Sequence, residues 1–317
     1  MIRVRTLCPT HRTGDVVELL RAEPGATHVV VLPGAAVEPA GDLVEADVAR
    51  ESVDGLVEAL RALGIERDGG IELALLETVL SRAADRAEEE APGEAADAVV
   101  WQELLARTGQ EARLTVTFTV MLTIACVLGA VGVVTDSTVT VVGAMVLGPE
   151  FGPLAALAVA AVRRRPALAR EAAAALVVGF AVALLVTTAG AAVGRAVGAI
   201  SGTALRDLDQ TAFVYQVGPV NLLVALLAGV AGMVALLAGS GTGVLVGVFI
   251  SVTTVPAAGF AAVAVVLGAW PQALGSLAQL AVNVVCIVAA GIAVLLLADR
   301  RRRAAAARIR PQKPHAG

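Results

Sequence analysis

Six apolar runs dominate the chain, at 114–134, 138–162, 172–193, 218–238, 243–269 and 273–298. About twenty apolar residues in α-helix cross the ~30 Å hydrocarbon core of a bilayer. Inside lipid the backbone must satisfy its own polar groups, so each run reads as a membrane-spanning helix. Composition agrees. The chain is 57% hydrophobic and 16% charged, with a mean hydropathy of +0.80, too little charge to cover a soluble surface.

The charge is unevenly divided. Residues 1–112 hold 10 Arg against 22 Asp and Glu, whereas 113–317 hold 13 Arg and one Lys against 6 acids. The acidic front argues against nucleic acid as a partner. Cys8, Cys126 and Cys286 form no CxxC pair, which excludes a disulfide framework or zinc site. His11, His28 and His315 all lie outside the apolar runs, so no intramembrane metal and no cofactor are expected. No signal-peptide pattern precedes the first span, which places the front of the chain on the cytoplasmic side.

Ahead of the spans, residues 1–76 alternate strand and helix patterns. IRVRTL (2–7), THVVVLPG (27–34), LVEADVA (43–49) and GIELALLE (70–77) read as strands, the second closed by its Pro-Gly. GDVVELLRA (14–22) and the stretch after Ser52 up to Gly64 read as helices. The order β-α-β-β-α-β is that of a ferredoxin-like α+β domain. Residues 77–112, rich in Ala, Glu, Asp and Arg, form an acidic helical connector, and Trp101 there either sits at headgroup level or packs on the front domain. The transmembrane domain covers 113–298, and a basic tail 299–317.

Six spans put both termini on one side. Arg163, Arg164, Arg165 and Arg170 in the second loop and Arg300–Arg303 after the last span then share the side of the front domain. That obeys the positive-inside rule and implies a bacterial-type inner membrane with cytoplasmic termini.

Two spans carry helix breakers. The second contains Gly148-Pro149-Glu150-Phe151-Gly152-Pro153, and the fifth contains Thr253, Thr254, Pro256 and Gly259. Proline removes a donor and clashes with the preceding turn. Spans one and four begin 104 residues apart, two and five 105, three and six 101, and Pro153 and Pro256 lie 103 apart. Three spans per half make the halves inverted. Interrupted helices at matching places in inverted halves point to a transporter-type site. Glu150 is the sharpest candidate, because an ionised acid facing lipid costs roughly 2.5–3.5 kcal/mol on insertion scales. It is either a proton, cation or gating site, or a buried acid that pairs with an arginine or caps the following half-helix. Asn221, Thr253, Thr254, Gln279 and Asn283 either line a path or join helices by hydrogen bonds. GSGTG (239–243) lacks the phosphate-loop pattern and reads as a tight turn.

At these residues the sequence resembles the hydrophobic membrane family known as domain of unknown function 389. GAMVLGPEFGP (143–153), GPVNLLVALLAGVAGMVAL (218–236), GVLVGVFISVTTVPAAG (243–259) and LAQLAVNVVCIVAAG (277–291) carry the likeness. The resemblance implies a bacterial inner-membrane protein and supplies no activity. Pro-Glu-Phe-Gly-Pro stands here where many relatives have an uncharged segment, so a proton-carrying Glu150 is not implied for the family.

The expectation is a transporter or channel for a small solute or ion, gated or assembled by the front domain. The alternative is an oligomeric membrane-anchored sensor whose soluble domain binds a metabolite or nucleotide. An enzyme is not expected, because the spans hold no paired carboxylates, HExxH or GxSxG. Small-residue spacings such as Gly229/Gly232 predict close helix packing and a homo-oligomer.

Overall fold

The structure is a computed structural model describing residues 1–76, 78–91, 101–205, 218–238 and 243–309. Side chains of 102, 103, 107, 238, 243–253 and 302–309 lie outside the description, as do Arg206, Asp207 and Asp209 of the third loop, the turn 239–242 and the Thr253 side chain. The chain divides into two compact units, 1–104 with 298–317, and 105–297.

The first unit holds strands β1 (Ile2–Cys8), β2 (Ala26–Val37), β3 (Ala40–Val48) and β4 (Gly70–Leu75). They form one antiparallel sheet in the order β2-β3-β1-β4. Helices α1 (Thr13–Ala22) and α2 (Arg50–Ala62) complete the β-α-β-β-α-β order, with a single turn α3 (Ile65–Asp68) before β4. Period-two burial in β1 turns Ile2, Val4 and Cys8 inward. They meet Val16 and Leu20 of α1 and Val53, Leu56, Val57 and Leu60 of α2 at helical spacing. Gly64, at φ +79°, ends α2 at little steric cost.

Two local expectations are corrected. β2 continues past Pro33-Gly34, because it is the edge strand, where proline's missing donor breaks no ladder bond. A register shift between Leu32 and Ala36 absorbs the turn, and the Gly34 N–H donates to Asp42 at 2.8 Å. Ser52 lies within the first turn of α2 rather than ahead of it, and its hydroxyl donates to Glu23 at 2.7 Å.

Two buried aspartates hold this sheet together. Asp42 accepts from the Thr13 hydroxyl at 2.6 Å and from Gly34 N–H, which keep its pKa below the ordinary 3.8. Burial pushes the Asp47 pKa upward, but Arg3 and His28, both at 2.9 Å, outweigh it and leave the pKa lowered. In the connector, α4 (Arg82–Glu90) starts at a Ser81 side-chain cap, and α5 spans Trp101–Glu111. Trp101 is buried and its backbone N–H donates to Asp54 at 3.3 Å, so it packs on the front domain.

In the second unit the helices are α6 (Val116–Val134), α7 (Thr138–Leu147), α8 (Phe151–Arg163), α9 (Pro166–Ala196), α10 (Pro219–Ala238) and α11 (Gly243–Val266). α12 runs from Trp270 to Ile309. Among the described residues, α6, α9, α10 and α12 are long and apolar enough to cross a membrane, and the bent pair α7–α8 makes a fifth candidate. The apolar runs therefore become helices close to the expected bounds. Helix takes in more of the polar flanks than expected: Pro166 opens α9 at a position that suits proline, and α12 carries Arg300–Arg303.

Candidate functional site

α7 and α8 meet at 53° across residues 148–150. Gly148 is extended (ψ 119°), the conformation imposed on a residue that precedes proline. Pro153 does not contribute to the break, because it lies in the first turn of α8, where a missing N–H costs no helical bond. α7 has ten residues, a rise of about 15 Å, so Glu150 follows a helix only half as long as a bilayer crossing needs.

The fifth helix departs from the expectation of a break. α11 runs unbroken from Gly243 to Val266 with Pro256 inside it. The physical reason is tertiary. Every residue from Thr254 to Ala264 is buried, and a Cβ placed on Gly259 would stand 2.6 Å from the backbone nitrogen of Ala130 on α6. Gly129 faces the Val255 carbonyl and Pro256 in the same crossing. Backbone-to-backbone packing of this kind holds a proline-bearing helix straight enough to continue.

Glu150 occupies the N-cap position of α8 but does not cap it with its side chain. Its carboxylate accepts a hydrogen bond from Thr254 Oγ1 at 2.5 Å, and both residues are fully buried. The short, buried contact has the geometry of a hydroxyl–carboxylate bond. Leu154, Ala144, Val255, Ala257 and Ala258 share one buried apolar cluster with Cys126 of α6, which lies within electrostatic reach of the carboxylate. Gly152, two residues beyond, leaves room for Glu111, since a Cβ there would stand 2.6 Å from that side chain. Ala156 packs with Ala112 and Ala172, which sets α8 where α6 and α9 begin.

The remaining candidates divide. Pro149 forms the break with Gly148. Gln279 Nε2 meets Asn283 Oδ1 at 3.5 Å one turn on along α12, both buried. Asn221 is half-buried in the first turn of α10. Two contributors went unrecognised in the sequence. Ser276 Oγ donates to the Ala257 carbonyl at 2.8 Å, tying α12 to α11 one residue past Pro256. Thr187 is buried on α9. A hydroxyl residue in an apolar run, single at Ser276 and paired at Thr187-Thr188, is the only signal for either.

Apolar helices of this length, a bent helix pair and a buried acid at its elbow define a polytopic helical membrane protein with a small antiparallel α+β domain in front. The family model described as Domain of unknown function (DUF389) matches residues 145–289, the segment that holds the elbow, Thr254 and Asn283, and supports assignment to that family. No curated protein and no solved structure matches the chain.

Proposed function

We propose that the protein is a transporter or channel for a small solute or ion in a bacterial-type inner membrane. It has six spans arranged as two inverted halves and a cytoplasmic, ferredoxin-like domain that gates or assembles them. The Glu150–Thr254 contact carries this reading. The two residues are 104 apart and lie in spans two and five, whose starts are 105 apart. Under an inverted repeat they are equivalent positions to within one residue, and near-equivalent positions that touch lie close to the axis relating the halves. Sites of inverted-repeat transporters lie at that interface near mid-depth. An ionisable residue buried inside a membrane domain is a functional candidate by default, with its partner named. The buried contact fits an occluded state, in which the acid is closed off by the opposite half.

The test is flux through the purified protein in liposomes, across a panel of ions and small solutes. At least one should cross, and Glu150→Gln and Thr254→Val should each change its rate at least severalfold without changing passive leak. No flux across the panel, or flux indifferent to both substitutions, refutes the proposal.

A further inference from the structure

Away from Glu150, a cleft of about 340 Å³ opens between α6 and α9, lined by Val127, Val131, Thr187, Gly190, Ile200 and Val263 among others. That volume lies within the ~300–1,000 Å³ usual for small-ligand sites, and an apolar wall with a few placed polar groups is their common composition; of the two hydroxyls here, that of Thr135 already donates to the Val131 carbonyl at 2.8 Å. Thr187 supplies the polar group. The residue is 2% exposed, and its buried hydroxyl has no hydrogen-bond partner among the described residues, although a buried hydroxyl left unpaired is costly. Beside the lining residue Gly194, Arg195 is exposed, and its guanidinium donates to the carbonyl of Ile200, another lining residue, at 3.3 Å. Arg195 thus sits on the turn that helps wall the cleft.

We infer that this cleft binds one anionic phospholipid, with an acyl chain along Val127, Val131 and Val263, an ester carbonyl at the Thr187 hydroxyl, and the phosphate at Arg195. The lining is apolar because α6 and α9 are both spans, and what lies beyond an apolar cleft between spans is lipid. The exposed cation beside the cleft complements a negative head, and arginine suits phosphate geometry. Thr187 and Arg195 are eight residues apart, about 12 Å along the helix. The phosphoglycerol backbone and the length of an arginine side chain cover that distance together. Gly190 has open space where a Cβ would stand, so a side chain there grows into the cleft without striking the protein.

The experiment is native mass spectrometry of the full chain, released from detergent after equilibration with dioleoyl phosphatidylglycerol or dioleoyl phosphatidylcholine. Wild type should retain one phosphatidylglycerol, favoured about fivefold over phosphatidylcholine, the ratio expected of one arginine near a charged head. Arg195→Gln should abolish the preference while still retaining lipid, and Gly190→Leu should lose that bound lipid of either kind. Wild type without a head preference overturns the inference, as does an Arg195→Gln protein that keeps one. A Gly190→Leu protein with unchanged melting temperature and undiminished lipid retention also overturns it. Should Gly190→Leu fail to fold, the arginine variant decides alone.

Discussion

The two proline-bearing segments of the membrane unit look alike in sequence and behave differently. At 148–150 the helix stops and turns by 53°, while at 256 it continues. Both prolines delete a ladder bond. Only Pro149 follows a glycine, which takes the extended conformation readily, and only Pro256 lies in a backbone-close crossing with a neighbouring helix. Proline therefore sets up a possible break, and the surroundings decide whether it occurs. One segment presents an acid at its elbow and the other presents a threonine from intact helix, so the contact joins a bent element to a straight one.

The largest effect should come from removing what keeps α11 continuous. Gly259→Leu drives a bulky side chain into the backbone of α6 and should abolish recovery of folded protein. Gly259→Ala should cost about 1–3 kcal/mol, read as a lowered melting temperature in detergent. If Gly259→Ala melts like wild type, close packing is not what tames Pro256.

Next in size is the contact itself. Thr254→Val should cost about 1–3 kcal/mol, because it removes a donor from a buried carboxylate. Replacing both partners together, as in Glu150→Leu with Thr254→Val, should cost less than the sum of the single changes, and a double-mutant cycle measures the difference. Strict additivity would show that the contact carries no energy.

The prolines should differ in the same sense, more modestly. Pro256→Ala restores one helical donor in an already continuous helix and should change stability by less than about 1 kcal/mol. Gly148→Ala with Pro149→Ala should straighten the α7–α8 elbow and change the distance between spin labels on the two helices. An unchanged distance would mean that the bend is imposed by packing, as the straightness of α11 is.

The smallest effect lies in the sheet domain, where the acids sit on regular backbone. Asp42 and Asp47 have pKa values lowered by folding, so their stabilisation is complete above the ordinary carboxylate pKa of 3.8. It is lost as pH falls through their still lower folded values. Asp42→Asn should flatten part of the acid limb in a melting-temperature profile of residues 1–91. A profile identical to wild type would remove Asp42 from this account.

Much of this was legible in the chain, for stated reasons. Spans are long, and twenty apolar residues leave few alternatives to helix. The Gly148-Pro149 elbow was legible because both residues act through local backbone sterics. The continuity of α11 was not, since it depends on Gly129, which lies 130 residues from Gly259. Neighbouring Thr253 and Thr254 are indistinguishable on paper, and only helix rotation selects Thr254. Pro33-Gly34 reads as a strand end because nothing local reveals that β2 is an edge. Thr187 stayed hidden because its meaning depends on the space beside Gly190.

The 104-residue separation of Glu150 from its threonine also bears on biogenesis. A ribosome adding about 5–20 residues per second needs roughly 5–20 s to reach Thr254 after making Glu150. For that interval the acid must wait, at the insertion machinery or at the aqueous edge of the membrane, before the hydroxyl it meets exists. The contact at the elbow therefore forms only after α11 has been made, late in synthesis.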